Sequence, residues 1–104
     1  MTKWKSTVIS YARALLASQV DPLESCRRIV GLVDHNSADA KDPDFAYIMG
    51  VESETEVFLT GRARENCAPE YLARLDRERA SYFQKIDSRL RQACESLIRK
   101  WSTD

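Results

Sequence analysis

Glycine and proline are scarce in this chain, three of each in 104 residues. A sandwich or barrel made of many short hairpins needs far more of both, so that class is excluded. Histidine occurs once, as His35, which removes two-histidine metal sites and the paired Glu-x-x-His motifs of carboxylate-bridged metal bundles. The three cysteines, Cys26, Cys67 and Cys94, are odd in number and widely spaced, with no Cys-x-x-Cys pair among them. Neither a disulfide framework nor a structural zinc site fits that spacing, and a reducing, bacterial-type cytoplasm is the expected location. Gly31, Gly50 and Gly61 stand alone, so no glycine-rich loop cradles a phosphate. No Ser or Cys sits on a Gly-bounded turn beside a base, as nucleophilic catalysis would require. No apolar stretch approaches the roughly 20 residues that cross a bilayer. At the start, MTKWKSTVISYARALL, Arg13 interrupts the apolar run and no small-residue cleavage motif follows, so no signal peptide is expected.

Net charge is absent too. Sixteen basic and sixteen acidic side chains cancel, which argues against a protein that coats nucleic acid or an anionic membrane through its overall field. The balance is local, however. Residues 1–41 carry six basic and four acidic side chains, 42–58 none and five, and 59–104 ten and seven. The stretch GVESETEVF, Gly50 to Phe58, holds Glu52, Glu54 and Glu56 with no basic neighbour between Asp42 and Phe58.

What is abundant points to helices. Ala, Leu, Arg and Glu dominate, and 43% hydrophobic residues with two Trp, four Tyr and three Phe suffice for a single core. Trp4, Val8, Tyr11, Ala12, Leu15 and Leu16 share one helical face over about residues 3 to 18. Asp21-Pro22-Leu23-Glu24 has the form of a helix start, with Asp as the capping acceptor and Pro where no amide is needed. Leu23, Cys26, Ile29, Val30 and Val33 continue the stripe of that second helix, and the short connection sets it antiparallel to the first. Asp42-Pro43-Asp44-Phe45 repeats the start signal. The third helix ends between Gly50 and Glu56, followed by an irregular packed link through Val57, Phe58 and Leu59. Thr60-Gly61 opens a short helix to about Cys67. From Ala68-Pro69-Glu70 a long one runs through Leu72, Leu75, Phe83, Ile86, Leu90, Cys94, Leu97 and Trp101. Unbroken, it is about 50 Å long at 1.5 Å per residue, against a domain diameter of about 30 to 35 Å. It must bend or protrude, and Arg79 on its apolar stripe marks a bend or a polar contact to the acidic segment. The expected fold is all-α, a compact bundle of about four to five helices in one domain over residues 1–104.

Five acids then stand out: Asp42, Asp44, Glu52, Glu54 and Glu56. Asp42 and Asp44 suit a helix N-terminus, and Ser53 with Glu56 has the spacing of a second capping box. On a helix Glu52 and Glu56 share a face while Glu54 points about 200° away, whereas in an extended segment all three project to one side, and the sequence leaves both geometries open for residues 50–60. The arginines of ARLDRERASYF alternate with Asp76 and Glu78 at spacings that favour pairs within the helix, a solvated face rather than a nucleic-acid stripe.

The order Asp44-Phe45, Ser53-Glu54-Thr55-Glu56, Ala68-Pro69-Glu70, Leu72-Ala73, Asp76, Ala93-Cys94 and Leu97-Ile98 resembles a family of small uncharacterised bacterial all-helical proteins. Cys67 stands where that pattern carries a large aromatic residue. The resemblance implies a bacterial, cytoplasmic, all-α protein and brings no activity with it.

Without a catalytic set or a cofactor motif, the expected function is non-enzymatic protein binding, most concretely a cytoplasmic immunity protein that neutralises a cognate bacterial toxin. Its partner would be a basic protein, met by Asp44, Glu52, Glu54 and Glu56, since opposite charge raises association rate and specificity. The alternatives are a homodimer formed through the C-terminal helix, or a metal protein using the carboxylates with His35. No nucleic acid, membrane or cofactor is expected as a partner.

Overall fold

The computed structural model describes residues 2–102, whose regular structure is all helical, with no strand among those residues. Four α-helices make up the architecture: α1 over Lys3–Leu16, α2 over Pro22–Leu32, α3 over Pro43–Glu54 and α4 over Pro69–Trp101. Single 3-10 turns at Asp39–Lys41 and Gly61–Arg64 sit in the two longer connections. α1 packs on α2 and α4, and α3 packs on the same two, so the helices close into a ring with α1 opposite α3.

The apolar stripes account for this arrangement. α1 buries Val8, Ile9, Ala12 and Leu15, the three- and four-residue steps of one face. Cys26, Ile29 and Val30 of α2, Phe45, Ile48 and Val51 of α3, and Leu90, Ala93, Cys94, Leu97 and Trp101 of α4 meet it in one core. A fully buried Leu, Ile or Phe of this kind contributes about 1.5 to 3 kcal/mol. Trp4 closes one end, edge-on to Trp101 at 5.5 Å between ring centres, and Phe45 lies 6.1 Å from the same indole.

Helix ends depend on tertiary partners as much as on local caps. α1 stops where Ser18 takes the left-handed conformation, φ 56°. Arg91 of α4 then donates to the Leu16 carbonyl at 2.9 Å and to the Ser18 hydroxyl at 3.4 Å, satisfying groups that the helix end leaves open. α3 starts as its sequence predicts, with Asp42 Oδ1 accepting from the amides of Asp44 at 2.8 Å and Phe45 at 3.3 Å. α2 does not. Pro22 opens it, but the Asp21 carboxylate makes no cap and instead pairs with Arg79 of α4.

That pairing corrects a second expectation. α4 is not interrupted at Arg79 and does not use it to reach the acidic segment. It is a single helix of 33 residues. The molecule measures 46 × 25 × 22 Å, so its long dimension is close to the length of α4, and the first half of that helix extends past the ring. The overhang rests on a small second core of Leu23, Phe58 and Leu75, with Leu59 and Phe83 against it.

Candidate functional site

The five acids separate into two groups with different surroundings. Asp42 and Asp44 belong to the scaffold. Lys100, near the end of α4, places its ammonium 2.7 Å from Asp42 and 2.6 Å from Asp44, tying the start of α3 to the last turn of α4. Arg89 lies 3.7 Å from Asp44 and stacks on the Tyr47 ring with its guanidinium carbon 4.3 Å from the ring centre. Burial works against the charge on Asp44. Hydrogen bonds from Lys100 and Ser96, with the charges of Lys100 and Arg89, nevertheless hold its carboxyl below the ordinary aspartate value.

Glu52, Glu54 and Glu56 form no ion pair with another described residue. Glu52, in the last turns of α3, is half-buried, and its charge helps to raise the Cys26 thiol. Glu54 is exposed and accepts a 2.6 Å hydrogen bond from the Tyr82 hydroxyl of α4. Burial and that bond push Tyr82 well above its usual value, so the hydroxyl remains a donor. Glu56 lies beyond the helix end and faces solvent. Ser53 and Glu56 make no capping box, because no helix begins there: α3 ends at Glu54 and Ser53 is in its final turn. Ser53 and Glu56 meet only through a 3.5 Å backbone contact.

What ends α3 also shapes the link that follows. Buried Thr55 turns its hydroxyl back to the carbonyls of Val51 at 2.8 Å and Glu52 at 3.1 Å. The Phe58 amide donates to the Thr55 carbonyl at 3.0 Å, closing a tight turn with Glu56 and Val57 at its corner. Arg27 of α2 fixes both ends of that turn. Its guanidinium donates to the Thr55 carbonyl at 3.1 Å, the Phe58 carbonyl at 2.8 Å and the Thr60 hydroxyl at 3.1 Å. Sequence reasoning missed Arg27, although a signal exists: it falls four residues after Leu23 and three before Val30, a charged side chain on an apolar stripe. A guanidinium at such a position must find acceptors, and the link supplies them.

Beyond the link, an open groove of about 680 Å³ runs between the start of α2, Leu59 to Arg64, and α4. Pro22, Leu59, Ala80 and Phe83 give it apolar walls, and two arginines face into it. Each already has a carboxylate: Arg64 is bidentate with Asp76 at 2.8 Å, and Arg79 holds Asp21. Burial lowers the Arg79 guanidinium somewhat from its usual value. A smaller recess of about 350 Å³ continues past Asp21 and Phe83 to Arg91.

The remaining reactive side chains have local explanations. His35 Nε2 lies 3.1 Å from the Val30 carbonyl, just beyond the end of α2, as expected of a residue serving a helix end. Cys26 and Cys94 are fully buried, and burial above all pushes their thiols up to about 12 and about 11, so both stay protonated. Cys67 is half-buried, its sulfur 3.5 Å from the Ala63 carbonyl. Among the described residues no three His, Cys, Asp or Glu side chains are grouped so as to hold a metal ion. No described helix is long and apolar enough to cross a membrane.

Residues 3–97 match the family described as "protein of unknown function (DUF2489)", and the chain belongs to that family. No curated protein and no solved structure matches the chain.

Proposed function

We propose that this member of the DUF2489 family is a non-catalytic protein-binding module whose partner is a basic protein. The specific case is a bacterial toxin domain held inactive in the cytoplasm. The supporting observation is the division among the acids. Asp42 and Asp44 are neutralised inside the molecule by Lys100 and Arg89. Glu54 and Glu56 keep exposed carboxylates in a segment, 42–58, with no basic residue of its own. Uncompensated charge at one edge of a neutral protein directs a partner to that edge and speeds encounter. Asp44, occupied by Lys100, is a support of this surface rather than a contact.

The experiment is co-expression with the product of the neighbouring upstream gene, followed by co-purification and titration calorimetry. Glu54→Lys and Glu56→Lys should each weaken the complex by about 1 to 3 kcal/mol where they lie centrally in the interface. Glu56→Lys is the cleaner probe, since it leaves the Tyr82 hydrogen bond intact and should not move the thermal midpoint. An unchanged affinity in both variants, or a neighbouring product that is harmless to cells lacking this protein, ends the reading. Overhang of α4 beyond the ring favours one other reading, a homodimer through that helix. Sedimentation showing a strict monomer at high micromolar concentration would count against it.

A further inference from the structure

Val57 is 54% exposed, although the residues that anchor its turn are not: Thr55 is 0% and Phe58 7% exposed. Lone apolar side chains on a surface are ordinary. This one differs in how firmly it is presented. The turn is closed by the Phe58 amide on the Thr55 carbonyl, braced by the Thr55 hydroxyl on α3, and held from α2 by three hydrogen bonds of the Arg27 guanidinium. An arginine in that position fixes the backbone on both sides of Glu56 and Val57 while touching neither side chain in any of those bonds. Tyr71, the other large exposed hydrophobic among the described residues, has its ring stacked by Arg74 of its own helix at 5.3 Å.

We propose that Val57 is the apolar anchor of the partner surface. It enters a shallow apolar pocket on a protein partner, and the carboxylates of Glu54 and Glu56 meet Lys or Arg side chains that ring that pocket. The proposal rests on the reading of the acidic segment as a binding surface and names the chemistry that this surface selects. Three considerations favour it. Binding energy concentrates in a few desolvated side chains surrounded by polar ones, which is the arrangement of a Val corner flanked by acids. A turn already fixed in the free protein loses little freedom on association, so its small area is used efficiently. The absence of any basic residue between Asp42 and Phe58 sets the sign of the ring on the partner.

The test uses the full-length protein, immobilised, as bait for random dodecapeptides displayed on phage. Enriched peptides should combine an aliphatic or aromatic residue with flanking Lys or Arg. Their affinity should fall about tenfold or more in Val57→Asp and in Glu56→Lys, while Tyr71→Asp, an exposed apolar site elsewhere, leaves it unchanged. Arg27→Gln, if still folded by circular dichroism, should weaken the same peptides, because it frees the turn without removing a contact. Peptides that depend on Glu56 but ignore Val57 overturn this inference and leave the acidic surface standing. Peptides indifferent to both, or no enrichment at all, overturn both. Self-association of the protein that Val57→Asp abolishes would identify a second copy as the occupant and overturn the basic-pocket partner.

Discussion

From Leu90 to Trp101, α4 buries Leu90, Ala93, Cys94, Leu97 and Trp101 among three other helices, whereas from Pro69 to Phe83 it buries Leu75 alone, against Leu23 and Phe58. The apolar stripe runs through both halves, although Arg79 takes one of its turns in the first. What differs is the supply of opposing surface: α1, α2 and α3 surround one half, whereas the 58–64 link and the start of α2 carry Leu75, and the other half meets the ring core only at its end, through Tyr82 and Phe83. Long helices gain most of their stability from the face they bury, so the first half should open locally at a lower free energy than the second. It is also the half next to the exposed acids and Val57. A rigid bundle carrying a less buttressed shoulder is a common arrangement for surfaces that meet partners.

Substitution of one leucine in each half would break or sharpen that contrast. Leu97→Ala, in the ring core and fully buried, should cost about 4 kcal/mol through the cavity it leaves. Leu75→Ala, in the three-residue satellite, should cost about 2 kcal/mol, because a thin cluster can collapse around the gap. Urea denaturation measures both, and equal losses would mean that the halves share one core. Hydrogen exchange adds the local view, with amides near Leu75 exchanging well before those near Leu97.

Arg27→Gln addresses the join between the regions. Removing a charged donor from two carbonyls and a hydroxyl should cost about 2 to 3 kcal/mol and raise exchange at Phe58 and Thr60 while the ring amides stay protected. Loss of protection across the ring instead would make Arg27 part of the main fold rather than a clamp on the link.

The smallest effect comes from acid. The Asp44 carboxyl is held below its ordinary value, so its contribution is fully present above the unfolded value of about 4 and is lost as pH falls through its lower folded value. Stability measured from pH 5 downward should decline with a component that Lys100→Ala removes. A wild-type and variant pair with parallel pH profiles would show that the Lys100 bridge contributes nothing measurable, as many exposed ion pairs do.

Much of the scaffold was legible because local rules and tertiary outcome agree. Asp42-Pro43 opens α3 as a cap and N1 proline do, and Cys26 and Cys94 lie buried on their stripes as small apolar residues. The irregular link was legible as well, since Val57, Phe58 and Leu59 interrupt one helical period without starting another. The misreadings share a cause. Asp21 and Ser53 with Glu56 fit local capping motifs, and Arg79 fitted a bend or a contact to the acidic segment; Asp21 and Arg79 instead found each other across the fold, and at Glu56 no helix began. Arg27 escaped notice because its acceptors are 28 to 33 residues away in the chain.

By itself the sequence determined that the protein is all-α, where its four main helices begin, and which faces they bury, since helical period and first-turn chemistry are properties of neighbouring residues. Only the tertiary structure decided that Asp42 and Asp44 are neutralised while Glu54 and Glu56 remain exposed, that α4 runs past the ring as one continuous helix, and that Arg27 holds Val57 at a fixed corner. Those outcomes depend on which charges from separate helices come within hydrogen-bond range, and distance along the chain does not encode that until the core has packed.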